Sequence, residues 1–336
     1  MATIKEIAEK ANTSIGTVSR VLNFDESLRV SDEKRELILK IAEELQYQGK
    51  SQRRRKTKFT IGVVSMYTTL EELEDPFYLS IRLGVEKSVN KKNTDLKVIH
   101  DTDKGYDYQV IKGVDGLIAI GHFTSQEIKR FNQITSHIVF VNSNPAPQVH
   151  DSILFDGDNA VKEVVEYLTQ LGHKNIGFVG VKSIREKSSV DLKETRYELV
   201  KKYLSEKNLY QEENIYHGGR TYKDGHDIMK QIIDEDRLPS ALFFGNDSMC
   251  IGALTALYEA GIRVPEHISI IGYNDITNAE YSLPPLTTVK VYTELMGGQA
   301  FNLLIERIKG RSIPIKMITP TKLVIRDSVA KYNGKS

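Results

Sequence analysis

Tryptophan is absent from the 336 residues, and cysteine occurs once, at Cys250. A single cysteine excludes an intramolecular disulfide and a cysteine-rich metal centre, and as a small apolar residue it belongs in a core. Without tryptophan, any ring stacked on a ligand must be Tyr or Phe. Long apolar runs are missing too. None approaches the ~18 residues of a membrane span, and the N-terminus carries acids in its first ten residues with no apolar h-region, unlike a secretory leader. A cytoplasmic protein with no membrane partner is expected. Catalytic signatures are equally scarce. The 8 histidines show no H-E-x-x-H spacing, no G-x-S-x-G elbow occurs, and Gly297-Gly298 fits neither phosphate-loop pattern. The chain reads as a non-enzyme with no catalytic residue, metal or cofactor. Net charge is almost absent as well, at +1.

The charge that is present is unevenly placed. Residues 1–58 hold 13 Lys/Arg against 9 Asp/Glu, and the remainder hold 33 against 36. A mildly basic head and a mildly acidic body put any polyanionic partner at the head. With 40% apolar and 27% charged residues, the length suits a small domain joined to a larger globular body.

Thr3-Ile4-Lys5-Glu6 has capping-box spacing, and Ile4, Ile7, Ala8 and Ala11 share one helical face. Asn12 and Thr13 break that helix. Ser14 can cap a second, with Val18, Val21 and Leu22 inward. Ser31, followed by Asp32 and Glu33, can cap a third, with Leu37, Ile38, Ile41 and Leu45 as its buried stripe. Three short helices with a tight turn between the first two make a helix-turn-helix module over residues 1–47. The outward positions of the second helix are Ile15, Gly16, Ser19, Arg20 and Asn23, with Thr17 in the first turn. In such a module this helix enters the major groove. Arg can donate two hydrogen bonds to a guanine edge, and small or apolar side chains can meet thymine methyls. Ser14, Thr17 and Ser19 suit phosphates. A three-helix bundle whose polar face is merely solvated is the plain alternative.

Residues 48–58 read as a basic linker, QGKSQRRRKTK, with six Lys/Arg and no apolar residue. It is a tether that also suits DNA phosphates, binding through counterion release. Beyond it, strands and helices alternate. Phe59–Val64, Leu96–His100, Gly116–Ile120, His137–Val141, Asn175–Gly180, Ala241–Phe244 and Ser269–Tyr273 read as strands. Ile81–Asn90, Ala160–Leu171, Glu194–Lys207 and Ser248–Ala260 read as helices. That alternation gives an α/β body of parallel sheets covered by helices, with binding at the carboxyl ends of strands. Asn246, Asp247, Asp275, Asp156 and Tyr67 all follow strands, and Arg196 lies on a helix. Carboxylate, amide and guanidinium groups can hold adjacent hydroxyls. A lone acid after a strand is as readily a helix cap or a solvated loop charge.

Thr3 to Tyr47, above all SIGTVSRVLN from Ser14 to Asn23, closely resembles the head of the lactose/galactose repressor family. The likeness continues through Gly172-His173, Asn175–Gly180, Asn246-Asp247, Gly272-Tyr273-Asn274-Asp275 and Pro284–Val289. Within the family, Asp75–Tyr78 and Met296–Gln299 are most like a branch that governs a β-galactosidase operon. The resemblance implies an N-terminal all-α helix-turn-helix head plus an α/β body of two Rossmann-like, periplasmic-binding-protein-like lobes. The lobes would be about 59–157 plus 289–320, and 158–288 plus 321–330, with chain crossings near 158 and 288. It implies a homodimeric repressor on double-stranded operator DNA with a small sugar effector, by the narrower likeness a galactoside. Thr3, Ser14, Ile15, Gly16, Thr17, Ser19, Arg20, Asn23, Arg29, Arg53, Arg54 and Arg55 would face DNA. Arg196, Asn246 and Asp275 would bind sugar hydroxyls, and Tyr67 would line the other lobe. Asp156 would bind ligand or hold a lobe crossing. Arg220 stands where some members stack an aromatic ring, and Tyr222 follows two residues later.

Two departures accompany the likeness. The linker lacks the Pro-Asn start and the apolar side chain that many members wedge into the minor groove, so coupling would rest more on the spacing of the two heads. After Arg326 only ten residues remain, too few for a tetramerising coiled coil. A transport-type sugar-binding protein, a sugar-modifying enzyme and a regulator answering to a purine or phosphorylated corepressor are the other readings.

Overall fold

The computed structural model describes residues 3–22, 25, 28, 30–45, 47, 59–92, 94–102, 104–181 and 195–334. The expected linker, with Arg53, Arg54 and Arg55, and the DNA candidates Asn23 and Arg29 lie outside the described residues. The chain divides into two compact units, residues 1–58 and 59–336.

In the first unit, local chemistry sets α1 (Ile4–Lys10), α2 (Ile15–Leu22) and α3 (Asp32–Glu44). Glu6 N–H donates to Thr3 Oγ1 at 3.3 Å and Thr3 N–H to Glu6 Oε2 at 2.7 Å, a reciprocal box. Asn12 turns the chain at φ 46°, a left-handed value that asparagine tolerates. Ser14 Oγ then accepts Thr17 N–H at 3.0 Å, opening α2. Ile7, Ala8, Ala11, Val18, Val21, Ile38, Ile41 and Ala42 form the core. Leu37, expected inward, is 42% exposed. The buried positions of α3 are Ile38, Ile41 and Ala42, a stripe at helical spacing that leaves Leu37 one step out of phase.

The body holds two six-stranded sheets. In chain order the strands are β1 (Thr60–Ser65), β2 (Asp95–His100), β3 (Gly116–Ile120), β4 (Ile138–Val141), β5 (Asp151–Phe155), β6 (Ile176–Val181), β7 (Ile215–Gly218), β8 (Ala241–Phe244), β9 (Ser269–Asn274), β10 (Thr287–Val291), β11 (Lys316–Thr319) and β12 (Thr321–Val324). The sheets run β11-β5-β4-β3-β1-β2 and β12-β10-β9-β8-β6-β7. The first is parallel throughout. The second is parallel except for β12, which pairs antiparallel with β10. The chain passes between lobes after β5, after β10 and between β11 and β12. The crossing expected near residue 288 falls after Val291, because all of β10 is laddered within the second sheet.

Nine helices cover these sheets among the described residues: α4 (Thr69–Glu74), α5 (Phe77–Lys92), α6 (Ser125–Ile134), α7 (Gly157–Gln170), α8 (Thr195–Glu206), α9 (Tyr222–Asp234), α10 (Asp247–Glu259), α11 (Thr277–Glu280) and α12 (Thr293–Ile308). One helix pair in each lobe meets backbone to backbone through glycine. A Cβ at Gly84 would lie under 3.0 Å from the Glu294 carbonyl, and one at Gly297 equally close to the Ile81 carbonyl, so α5 and α12 touch only because both are glycine. Gly225 meets Met249 and Gly252 meets Tyr222 in the same way between α9 and α10.

A buried ion cluster pins α4 to the first lobe. Glu72 is 1% exposed. Ser65 Oγ donates to it at 2.7 Å, Arg82 Nη2 at 2.8 Å, and His100 Nε2 lies 3.4 Å away. Burial alone would raise the carboxyl, but the nearby His100 imidazole and the hydrogen bonds from Arg82 and Ser65 outweigh it and hold Glu72 at about 2 against an ordinary 4.5. A depressed carboxyl stabilises the fold fully above its unfolded value and loses that contribution as pH falls from about 4.5 toward about 2. Glu72→Gln is therefore expected to cost on the order of 3 kcal/mol at neutral pH and to flatten the acid arm of the stability curve. Urea unfolding at neutral and acid pH checks this, and a variant that loses as much stability in acid as the parent would refute it.

Candidate functional site

On the head, α2 exposes a continuous edge. Ile15 is 53% exposed. A Cβ at Gly16 would meet only Ser14 Oγ, at 3.7 Å, so the head's own packing does not require glycine there. The Ser14 and Thr17 hydroxyls are 2.9 Å apart at the start of the helix. Arg20, half exposed, donates from Nε to Asp25 Oδ2 at 2.7 Å. A carboxylate thus fixes the plane of a guanidinium on an open helix face, the geometry that two-point donation to a base edge needs.

In the body, strand order reverses beside β1 in one sheet and beside β6 in the other, and the carboxyl ends at such points are where ligands sit in α/β folds. From the first lobe, Tyr67 follows β1, and Asp75 caps the end of α4 just ahead of Pro76. From the second, Asn246 caps α10, its Oδ1 accepting Met249 N–H at 2.8 Å. Its Nδ2 donates to the Arg220 carbonyl at 2.8 Å and to Asp75 Oδ2 at 3.4 Å, across the lobes. Tyr67 Oη donates to the same carboxylate oxygen at 3.2 Å. The Arg220 guanidinium lies 4.8 Å from the Tyr67 ring centre and 3.8 Å from Glu71 Oε1. Arg196 lies over the Tyr273 ring at 4.7 Å and donates to the Gly245 carbonyl.

Burial pushes Asp75 up, against the Phe77 N–H, the Tyr67 hydroxyl and the charges of Arg196 and Arg220. Burial, then the charge of Arg196, pushes His122 down to about 4, so it is neutral at physiological pH. Beside this cluster opens a cavity of about 330 Å³ walled by Pro76, Phe77, Tyr222, Asn274, Asp275 and Thr293, among others. First-lobe and second-lobe residues share its wall. Among the described residues no group of three or more His, Cys, Asp or Glu side chains is placed to hold a metal, and no helix is long and apolar enough to cross a membrane.

Residues 3–49 match the model for bacterial regulatory proteins of the lacI family, and residues 165–329 match the periplasmic binding protein-like domain. The chain is also similar to the HTH-type transcriptional repressor MelR of Bacillus subtilis, 38% identical over 338 residues that cover 98% of this chain and 97% of that one. The chain belongs to the lacI family of bacterial regulatory proteins. Its fold is shared by the transcriptional regulator CelR–cellobiose complex, with a TM-score of 0.69 and 25% identity over 98% of this chain and 100% of that one. The lac repressor dimer bound to operator and the anti-inducer ONPF has the same fold, with a TM-score of 0.72 and 24% identity over 98% and 99%.

In this lacI-family chain the two sets of candidate residues fall on separate units. Tyr67, Arg196, Arg220 and Asn246 gather around Asp75, and Tyr222 and Asp275 wall the adjoining cavity. Asp156 stands apart at a crossing. Its carboxylate caps α7 through Asn159 N–H at 3.1 Å, and its backbone bonds Thr319 and Thr321. Both oxygens of Asp275 are engaged, one by Arg326 at 2.8 Å and the other by Lys290 at 3.0 Å. The neighbouring Asn274, at φ 114°, is the amide that the cavity wall adds and that sequence reading passed over.

Asp75 was likewise missed as a site residue. Its only signal is its place in the Asp75–Tyr78 segment, since its partner Asn246 is 171 positions away. Asp247 acts behind the wall. Fully buried, it accepts Thr288 Oγ1 at 2.6 Å and Ile276 N–H at 2.9 Å, fixing the loop that carries Asn274 and Asp275. Burial raises its carboxyl to about 7.

Proposed function

We propose that this regulator represses a sugar-utilisation operon and is released from its operator by a small sugar held between the lobes. The observation that carries this reading is the facing of an acceptor, Asp75, by donors from the opposite lobe, Asn246, Arg196 and Arg220, beside the rings of Tyr67, Phe77 and Tyr222. Sugar hydroxyls both donate and accept, and aromatic faces cover the apolar side of a pyranose. CelR, a transcriptional regulator that shares this fold, forms a complex with cellobiose. A galactoside is the narrower reading, resting on the likeness of Asp75–Tyr78 and Met296–Gln299 to the repressor of the evolved β-galactosidase operon. Transport-type binding or sugar modification would leave the helix-turn-helix head without a role.

The heads act in pairs. A homodimer in the cytoplasm would present two α2 helices to two related half-sites at fixed spacing. Ser14, Thr17 and Ser19 would meet phosphates and Arg20 a base edge, with Thr3 and the basic residues 53–55 adding backbone contacts. The sugar releases DNA only by binding the low-affinity arrangement more tightly, because equal affinity for both shifts nothing.

The test is operator binding by the purified protein on its own upstream DNA at fixed salt, with and without a panel of galactosides and glucosides. Release by one sugar class is expected. Tight, specific binding that no sugar alters would overturn the sugar reading and leave the regulator.

A further inference from the structure

We infer that Asp75 is the specificity-determining acceptor of the cleft, taking hydroxyls of an uncharged sugar and excluding its phosphorylated counterpart. This rests on the sugar reading above and names the ligand class within it. The two walls of the cleft differ in hydrogen-bonding sense. The first lobe brings Asp75 and Glu71, and an ionised carboxylate only accepts. The second brings Arg196, Arg220 and the Asn246 amide as donors, since a guanidinium only donates, while its wall acid Asp275 has both oxygens already taken by Lys290 and Arg326. Asp75 is 5% exposed, and its surroundings fix it: Phe77 N–H on Oδ1 at 3.5 Å, with Tyr67 Oη and Asn246 Nδ2 on Oδ2.

A ligand spanning these walls must donate to one and accept from the other. A sugar diol does both. A phosphate dianion accepts only; the arginines would welcome it, but a nearly dry carboxylate beside it repels it or must first take a proton. The cleft therefore has the cations that a phosphate site uses and, in Asp75, a buried acid facing them that spoils it. Arg220 Nη1 lies 3.8 Å from Glu71 Oε1, and the charges of Arg196 and Arg220 both favour the ionised form of Asp75.

The experiment is calorimetric titration of the full-length protein with lactose, galactobiose, cellobiose and galactose 6-phosphate, in the parent and in Asp75→Asn and Asp75→Ala. The asparagine keeps the shape and removes the charge, and a cooperative melt within a few degrees of the parent shows that the fold survives. The parent is expected to bind a neutral sugar and to reject the phosphate ester. In Asp75→Asn, neutral-sugar affinity should fall on the order of 10- to 100-fold, and the gap to the phosphate ester should narrow by a similar factor. Asp75→Ala should lose the neutral sugar at least as far. Neutral-sugar affinity unchanged in both variants overturns the assignment of Asp75 while leaving the sugar reading standing. A parent that prefers the phosphate ester overturns the exclusion. A parent that binds none of the neutral sugars overturns the sugar reading itself and the inference with it.

Discussion

Gly252→Val is expected to melt the body about 6–10 °C below the parent, the shift that ~3 kcal/mol produces in a unit of this size. The substituted side chain has no space to enter. Its Cβ alone would overlap the Tyr222 carbonyl oxygen and press on His226 N. These are backbone atoms of α9, so no rotamer change relieves the overlap and the two helices must part. Their seam contains Met229, Ile232, Met249 and Ala253, all fully buried. The same displacement reaches the cleft, because Tyr222 opens α9 and Asn246 caps α10. Sugar binding should fall with the melt, while the head, a compact unit of its own, keeps its fold. Gly16→Ala is the contrasting substitution. With only Ser14 Oγ near, at 3.7 Å, alanine should stabilise the head by about 0.5–1 kcal/mol. Differential scanning calorimetry with helical circular dichroism checks both, and a Gly252→Val body that melts with the parent would show that the helices accommodate it.

Arg20→Ala is expected to weaken operator binding by about 1–3 kcal/mol and to relax preference at a single base position of each half-site. Arg20 is the one long cation among the described outward positions of α2, and Asp25 holds its Nε. Binding measured on a set of single-substituted operators separates the possibilities. Loss confined to one base position supports base readout. Uniform loss on every sequence, with the salt slope reduced by about 1, would mean a phosphate contact instead.

How much of this was legible in the chain depended on whether a residue's role was local. β3 reads as a strand because Gly116–Ile120 is an unbroken apolar run, and all five residues are buried on both faces. The head was legible because Thr3, Ser14 and Ser31 cap helices that start within three residues of them. α9 gave little warning, since YKDGHDIMKQIID is mostly polar and buries only Gly225, Met229 and Ile232. Gly225 and Gly252 look like ordinary helix-interior glycines until the second helix arrives.

The cleft shows the same limit. Asn246 was visible as an amide after a strand, but its meeting with Asp75 is a product of the lobes coming together. Asp275 was visible as an acid after a strand, yet its partners Lys290 and Arg326 come from β10 and from beyond β12. Periodicity reports which face of an element is buried. It carries no information on which distant polar group will occupy the other side.

The interlacing of the two lobes also sets the order in which a ribosome can complete them. The head, with its own core, has everything it needs once its three helices emerge, and domains at the leading end fold first during synthesis. The first lobe must wait much longer. Its sheet is closed at one edge by β11, and its glycine seam needs α12, so the sheet of residues 59–155 lacks its edge strand and the helix partner of α5 until residues 293–319 have been made. For most of translation, a finished DNA-reading head would therefore precede a body not yet able to respond to a ligand. A ribosome stalled within the second lobe would display the reader without its control.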